Sequence, residues 1–241
     1  FGAKKESSKL LRFHTQTGGS TLTAQQPENN VVRVAIQSMA AVMGGTQSLH
    51  TNSYDEALSL PSQQAAQVAL RTQQIIGYES GIVDTPDPMA GSYFVETLTN
   101  EVERLAWEYL DRIDEMGGAV EGIEAGFQQS EIDQAAYDYA KSIDDNERII
   151  VGLNKFAVAT DGDPAVFPVD PELERGQKAT LSEFKSTRDL ALVDARLADV
   201  TAAATGTQNL LDPMKEALRA RATLGEVSDA LRAVFGVYRP G

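Results

Sequence analysis

Two polar tetrapeptides of nearly the same kind, His14-Thr15-Gln16-Thr17 and His50-Thr51-Asn52-Ser53, stand 36 positions apart in the chain. That spacing is about the length of one βα unit. Each tetrapeptide closes a short β-prone run, Leu10 to Thr17 and Thr46 to Ser53, and the first run stops at Gly18-Gly19. Between them, from Pro27 to Met43, Val31, Val34, Ala35, Met39 and Val42 recur at helical spacing until Gly44-Gly45. After Pro61 a second helical stretch runs from Ser62 to Tyr78. Two successive βα units are the economical reading. Parallel strands joined by helices belong to a doubly covered sheet or to a (β/α)8 barrel. Such a barrel needs roughly 250 residues, and only two units are visible in the first 80.

The alternation does not continue. Thr99 to Met116 predicts a helix ending at Gly117-Gly118, and Ser130 to Ile143 another with Ser130 as its N-cap. Ile149-Ile150-Val151 is a lone strand candidate. Residues 157–175, with Gly162, Pro164, Pro168 and Pro171, form a linker or wrapping arm, and helices follow near 177–203, 207–221 and 224–234.

Composition removes several classes of function. Lys and Arg total 21 against 35 Asp and Glu, a formal charge of −14, which opposes broad adhesion to nucleic acid or an anionic membrane. Lys4, Lys5, Lys9 and Arg12 make the one dense basic cluster; it is either a solvated face or, directly before the first site strand, a partner for a ligand phosphate. There is no Cys, so disulfides, iron–sulfur clusters and a catalytic thiol are excluded. With two His, a zinc site would have to lean on carboxylates, and no metal held by this chain is expected. Apolar runs fall well short of the roughly 18 residues of a membrane span, and no signal peptide opens the chain. A soluble, cytoplasmic protein without nucleic-acid or membrane partners is expected. Trp107 and the Tyr and Phe residues of the helices read as core or interface residues. The chain begins at Phe1 in mid-pattern, so its natural beginning is expected to be missing.

Polar residues collect around the strand runs: His14, Gln16 and Thr17 on the first, Gln47, His50, Asn52 and Ser53 on the second. In α/β folds ligands bind beyond the carboxyl ends of parallel strands. Alternation puts His14 and Gln16 on one face, while Gln47 shares parity with Leu49 and Thr51 rather than with His50 and Asn52. Some of these side chains therefore point away from a common centre unless they lie in the loop beyond the strand. A strand-end histidine is either a hydrogen-bonded structural residue or a catalyst; the paired occurrence leaves both open for His14, and His50 falls on the structural side. Gln16, Gln47 and Asn52 have the alternative role of capping strand-end backbone, and Asp55-Glu56 that of an acidic first helical turn. Neither glycine pair forms a GxGxxG or Walker loop.

Four segments carry a resemblance: Arg12-Phe13-His14-Thr15-Gln16-Thr17, Ser20-Thr21-Leu22-Thr23-Ala24-Gln25-Gln26-Pro27, Gly44-Gly45-Thr46-Gln47-Ser48-Leu49-His50-Thr51-Asn52-Ser53, and Asp55-Glu56-Ala57-Leu58. They resemble the acyl-CoA mutase family typified by methylmalonyl-CoA mutase. The likeness continues through Asp87-Pro88-Met89-Ala90-Gly91-Ser92-Tyr93 and Val151-Gly152-Leu153-Asn154-Lys155, and Val234 to Pro240 resembles the end of the separate large subunits.

The resemblance implies an α/β chain: the C-terminal part of a (β/α)8 TIM barrel, residues 1–96 being its last two βα units, followed by a mostly helical tail. Residues 97–156 would be a helical region with one short strand, 157–176 the linker or arm, and 177–241 a C-terminal helical segment. It implies an isomerase acting on an acyl-CoA with adenosylcobalamin, whose cobalt–carbon homolysis gives a radical that rearranges the carbon skeleton. Conversion of (R)-methylmalonyl-CoA to succinyl-CoA is the leading expectation. Isobutyryl-CoA or 2-hydroxyisobutyryl-CoA isomerisation, and a non-catalytic partner in a mutase assembly, are the alternatives. By motif position His14, Gln16 and Gln47 match residues lining the substrate and corrin side. Asn52 and Glu56 match residues holding the adenosyl ribose, and Gly19 and Ser59 match further cofactor-contacting positions. The family's DxHxxG signature is absent, so a cobalamin-binding small subunit or another domain is expected to supply the cobalt ligand. The residues gripping the acyl group are expected in a missing N-terminal barrel portion, without which the fragment would be inactive.

Overall fold

Thr15 and Leu49 are partners at the centre of a two-stranded parallel sheet, β1 (His14–Gln16) with β2 (Ser48–His50), in the register His14 to Ser48 and Gln16 to His50. The computed structural model describes residues 2–158 and 167–239, and the chain divides between Phe167 and Pro168 into two compact units. In the first, a single turn, α1 (Glu6–Lys9), precedes β1, α2 (Asn29–Met43) follows it, and α3 (Gln63–Glu79) follows β2. The βαβα order implied by the tetrapeptide spacing is therefore present, with strands shorter than the β-prone runs. α2 ends at Gly44, and Gly45 takes a φ of +79°, where a side chain would be strained. α3 starts at Ser62, whose hydroxyl accepts from Ala65 N.

Helical period was read correctly for α2, but the buried face differs. Its buried stripe is Asn30, Val34 and Ser38, at i, i+4 and i+8, whereas Met39 is 40% exposed. α2 packs on α3, whose Ala65, Ala69, Thr72 and Ile76 form the opposing stripe. Thr51 just beyond β2 donates from Oγ1 to Ala69 O at 2.7 Å, tying the strand end to α3.

Beyond α3 the structure corrects several expectations. α4 (Tyr93–Glu115) begins six residues before Thr99 and buries none of its residues. Trp107 is 55% exposed on it, which removes the core half of the expectation that it is a core or interface residue. A short helix, α5 (Ala119–Glu124), was not foreseen, and α6 (Phe127–Asp144) starts before Ser130, which lies inside it rather than capping it. Ile149 to Val151 is no strand: Val151 makes one isolated bridge, to Lys155. Asn154 takes up the local backbone instead, its Oδ1 accepting from Ile150 N at 2.8 Å and its Nδ2 donating to Arg148 O at 2.8 Å.

Of the proline-rich arm, residues 159–166 lie outside the described residues. The second unit has four helices rather than three: α7 (Pro171–Ser186), α8 (Leu190–Ala204), α9 (Leu211–Arg219) and α10 (Leu224–Phe235). α7 begins with Asp170 as N-cap and Pro171 in its first turn, so part of the expected arm is helix. Asp189 caps α8 through Leu192 N at 3.1 Å, which breaks the stretch expected to run unbroken to 203. Val193, Val200, Ala217, Ala222 and Val227 form this unit's core. No helix among the described residues is long and apolar enough to cross a membrane.

Candidate active site

The first four polar residues separate along the strands. His14 opens β1 and Gln47 precedes β2, so both lie at the amino-terminal end of the pair and not beyond its carboxyl end. The physical reason is strand length: β1 spans only His14 to Gln16 and β2 only Ser48 to His50, so His14 and Gln47 fall at the entry of the pair while Thr17 and Asn52 lie just past its exit. His14 Nδ1 and Ser48 Oγ are hydrogen-bond partners at 2.8 Å. Gln47 spends its amide on backbone, Oε1 accepting from Phe13 N at 2.8 Å and Nε2 donating to Leu11 O at 3.0 Å. These residues and Arg12 border a cavity of about 530 Å³. His14 and Gln16 share the exposed face of β1, with Ser48 and His50 on the same face of β2.

The carboxyl end holds a tighter cluster. Thr17 N donates to His50 O at 3.1 Å, extending the ladder past β1. Asn52, 2% exposed, lies in the loop beyond β2. Its backbone N donates to Thr17 Oγ1 at 2.9 Å, its Nδ2 to Thr17 O at 3.1 Å, and its Oδ1 accepts from Gln16 Nε2 at 3.0 Å. The amide thereby orients Gln16 and retains one free N–H. Gly19 presses against it: a Cβ there would fall 2.8 Å from Asn52 Nδ2 and 3.5 Å from Glu56 Oε1. Glu56 is exposed and its carboxylate accepts no hydrogen bond from the described residues. Ser59 uses its hydroxyl on Leu60 O at 2.9 Å and accepts from Phe167 N at 3.3 Å.

Asp55 fastens the loop that presents Glu56. Its Oδ2 accepts from Ser62 N at 2.9 Å and its carbonyl from Leu58 N and Ser59 N. Glu56 also borders a cavity of about 230 Å³ with His50, Ser53 and Gln73. An exposed carboxylate is a strong acceptor for vicinal hydroxyls, and the bare Gly19 backbone lets the Asn52 amide pack directly against it. The arrangement can accept hydrogen bonds from neighbouring hydroxyls of a bound ligand.

Sequence reasoning missed three side chains of α2 that build this edge. Gln37 Oε1 accepts from Gly18 N at 2.6 Å and its Nε2 donates to Thr21 Oγ1 at 2.7 Å. Arg33 donates to Thr23 Oγ1 at 2.9 Å and, through its other nitrogen, to Val151 O at 2.7 Å. Asn30 is fully buried between them. The signal available was its position four residues before Val34 on one helical face.

A parallel βα pair with polar side chains gathered past its strand ends defines an α/β chain with the crevice at which such folds take ligands. The methylmalonyl-CoA mutase family model matches residues 1–237. The chain is 44% identical over 239 residues to methylmalonyl-CoA mutase of Escherichia coli (strain K12), covering 99% of this chain and 34% of that one. It is 44% identical over 241 residues to the mitochondrial methylmalonyl-CoA mutase of Homo sapiens, with coverages of 99% and 32%. With the Rhizobium meliloti (strain 1021) methylmalonyl-CoA mutase the identity is 42% over 243 residues, with coverages of 99% and 34%. The chain belongs to the methylmalonyl-CoA mutase family, and it spans about a third of the length of these curated relatives.

Proposed function

We propose that this chain supplies the closing βα units of a (β/α)8 barrel in an acyl-CoA mutase, an isomerase that converts (R)-methylmalonyl-CoA to succinyl-CoA by a 1,2-shift of the carbon skeleton. Residues 1–96 would be those units, 97–156 and the helices from Pro171 onward the helical tail, with the arm between. Family membership supports the reaction class, and the names of the relatives support the substrate. The observation that carries the site assignment is the unpartnered Glu56 carboxylate beside the Cβ-free Gly19 and the Asn52 amide.

Adenosylcobalamin, held in part by another chain or domain, would supply the hydrogen-abstracting radical chemistry. This chain's residues would bind and orient. Glu56 accepts hydrogen bonds from the ribose hydroxyls, Asn52 offers its remaining N–H there, and Gly19, lacking a side chain, lets the Asn52 amide lie close beside Glu56. Gln16, fixed by Asn52 at the carboxyl end, and His14, fixed by Ser48 at the other end of the strand pair, present polar groups to the acyl-CoA and corrin side, while Gln47 holds the strand entry through its backbone bonds, so that little reorganisation is needed when substrate arrives. Ser59, whose hydroxyl is already engaged, meets the cofactor through backbone. The exposed run Lys4, Lys5 and Arg12 is the counter-charge for coenzyme A phosphates.

The test is Glu56→Ala in the full-length protein assayed with its cobalamin-binding component. Loss of a charge-assisted hydrogen bond, about 1.5–3 kcal/mol, predicts a fall in apparent affinity for 5′-deoxyadenosine of about 10- to 100-fold, with Glu56→Gln retaining part of it. Unchanged affinity and turnover in Glu56→Ala would sink the ribose assignment.

A further inference from the structure

Asn30 sits in the first turn of α2 with no exposed surface. Its Nδ2 donates to Thr23 O at 2.8 Å and to Tyr54 O at 2.8 Å. Its Oδ1 accepts from Thr23 N at 3.2 Å and from an Arg33 guanidinium nitrogen at 2.7 Å. Both amide hydrogens and both acceptor positions are thus in use, a complete set for this side chain. The partners matter more than their number. Thr23 belongs to the loop leaving β1, which carries Gly19; Tyr54 belongs to the loop leaving β2, which carries Glu56. One helical amide therefore bonds both loops that border the candidate ribose site.

We infer that Asn30 is a positioning residue, which fixes the separation of the Gly19 and Glu56 loops and touches no ligand itself. The inference rests on the ribose assignment of Glu56. Loops joined only at strand ends are free to open, and a displacement of about 1 Å in a positioning group is enough to cost a large factor in a preorganised site. Removing the Asn30 amide takes the donor from the buried Thr23 and the half-buried Tyr54, whose carbonyls recover a partner only as the loops move toward water. Ser38 is the matched control: it is equally buried on the same helical face, but its hydroxyl bonds only Val34 O within α2.

The experiment uses the full-length protein with its cobalamin-binding component and three variants, Asn30→Ala, Ser38→Ala and Glu56→Ala. Amide hydrogen exchange without ligand reads residues 19–23 and 54–59, titration with 5′-deoxyadenosine reads the site, and the KM for acyl-CoA reads the rest of the enzyme. Asn30→Ala is expected to speed exchange in both segments by tenfold or more and to weaken 5′-deoxyadenosine binding by tenfold or more, with the KM within twofold. Ser38→Ala is expected to move none of these. A merely structural role would lower the active fraction and leave the two constants alone, and that result overturns the inference. So does unchanged exchange in either segment, or the same response in Ser38→Ala. If Glu56→Ala leaves 5′-deoxyadenosine binding intact, the ribose assignment falls, and the exchange pattern alone then decides whether Asn30 joins the loops. Should Asn30→Ala not fold, Arg33→Lys is read instead: about threefold faster exchange at residues 19–23 supports the inference and no change overturns it.

Discussion

A single methyl group added at Gly19 has little room to go. The Asn52 amide it would meet at 2.8 Å is pinned by Gln16 and Thr17 and cannot swing aside like the end of a long side chain. Overpacking of this kind costs about 1–3 kcal/mol. Gly19→Ala is therefore expected to lower the melting temperature and weaken 5′-deoxyadenosine binding together, checked by thermal unfolding and titration on one preparation. Wild-type values in both would mean that the loop yields freely. At this scale the position of Gln16 and Asn52 around strand ends was legible, whereas a ligand role for them and for Glu56 came from the family resemblance, since spacing alone reads the first two as caps and Glu56 as part of an acidic helical turn. Asn30 escaped because a helical pattern assigns polar residues to the solvent face, whereas here Asn30 and Ser38 share the buried stripe with Val34. His14 and Gln47 were placed with the other polar residues of the strand runs, but nothing in those runs announces that each strand has only three residues.

Elements were legible where their ends are chemically marked. Gly44-Gly45 and Ser62 delimit α2 and α3 because one needs a permissive backbone and the other accepts an orphan N–H. The start of α4 was not legible, since Tyr93-Phe94-Val95 has a strand-like composition. Helix wins there because Glu96 accepts from Gly91 N at 2.9 Å, while Thr97 and Thr99 bond back to Tyr93 O and Val95 O. In the second unit α10 opens with a capping box between Thr223 and Glu226. Thr223→Ala is expected to destabilise this unit by about 1 kcal/mol, read as faster amide exchange in α10. Glu226 also receives both nitrogens of the Arg188 fork, at 2.7 and 2.5 Å. Arg188 first, and Thr223 after it, hold the carboxyl far below its usual value of 4.5, against the opposing effect of burial. A carboxyl depressed in the folded state stabilises fully above its unfolded pKa and loses that contribution as pH falls. The stability of α8 to α10 should thus be level above about pH 5 and decline below about pH 4.5. Glu226→Gln should flatten that acid limb, and a limb unaltered in the variant would rule the carboxyl out as its origin.

At the scale of the whole molecule the first unit is under-covered. Leu98, Val102 and Leu105 form an apolar stripe on α4 with exposures of 51%, 59% and 43%, and among the described residues only β1 and β2 pair in the sheet. Open strand edges and apolar stripes promote association, so the 241-residue chain alone is expected to self-associate and to bind an anilinonaphthalene dye. Light scattering decides this: a monodisperse monomer without dye uptake counts against it, and Val102→Glu with Leu105→Lys should reduce the scattering. The α/β character of the first unit was legible at this scale because the tetrapeptides repeat, and the division after Phe167 falls within the proline-rich arm that the sequence marks at 157–175. One feature bears on the order in which the chain assembles. Arg33 reaches Val151 O across 118 residues and Gln26 reaches Phe156 O across 130, whereas the bond from Gln16 to Asn52 that joins the two βα units spans 36. The longer closures cost about 1 kcal/mol more in chain entropy than the shorter one, and non-local contacts of this kind form late. The segment after α6 should therefore dock last, onto a strand pair and α2 already in place, which makes its seating a report on whether the site edge beneath it has formed.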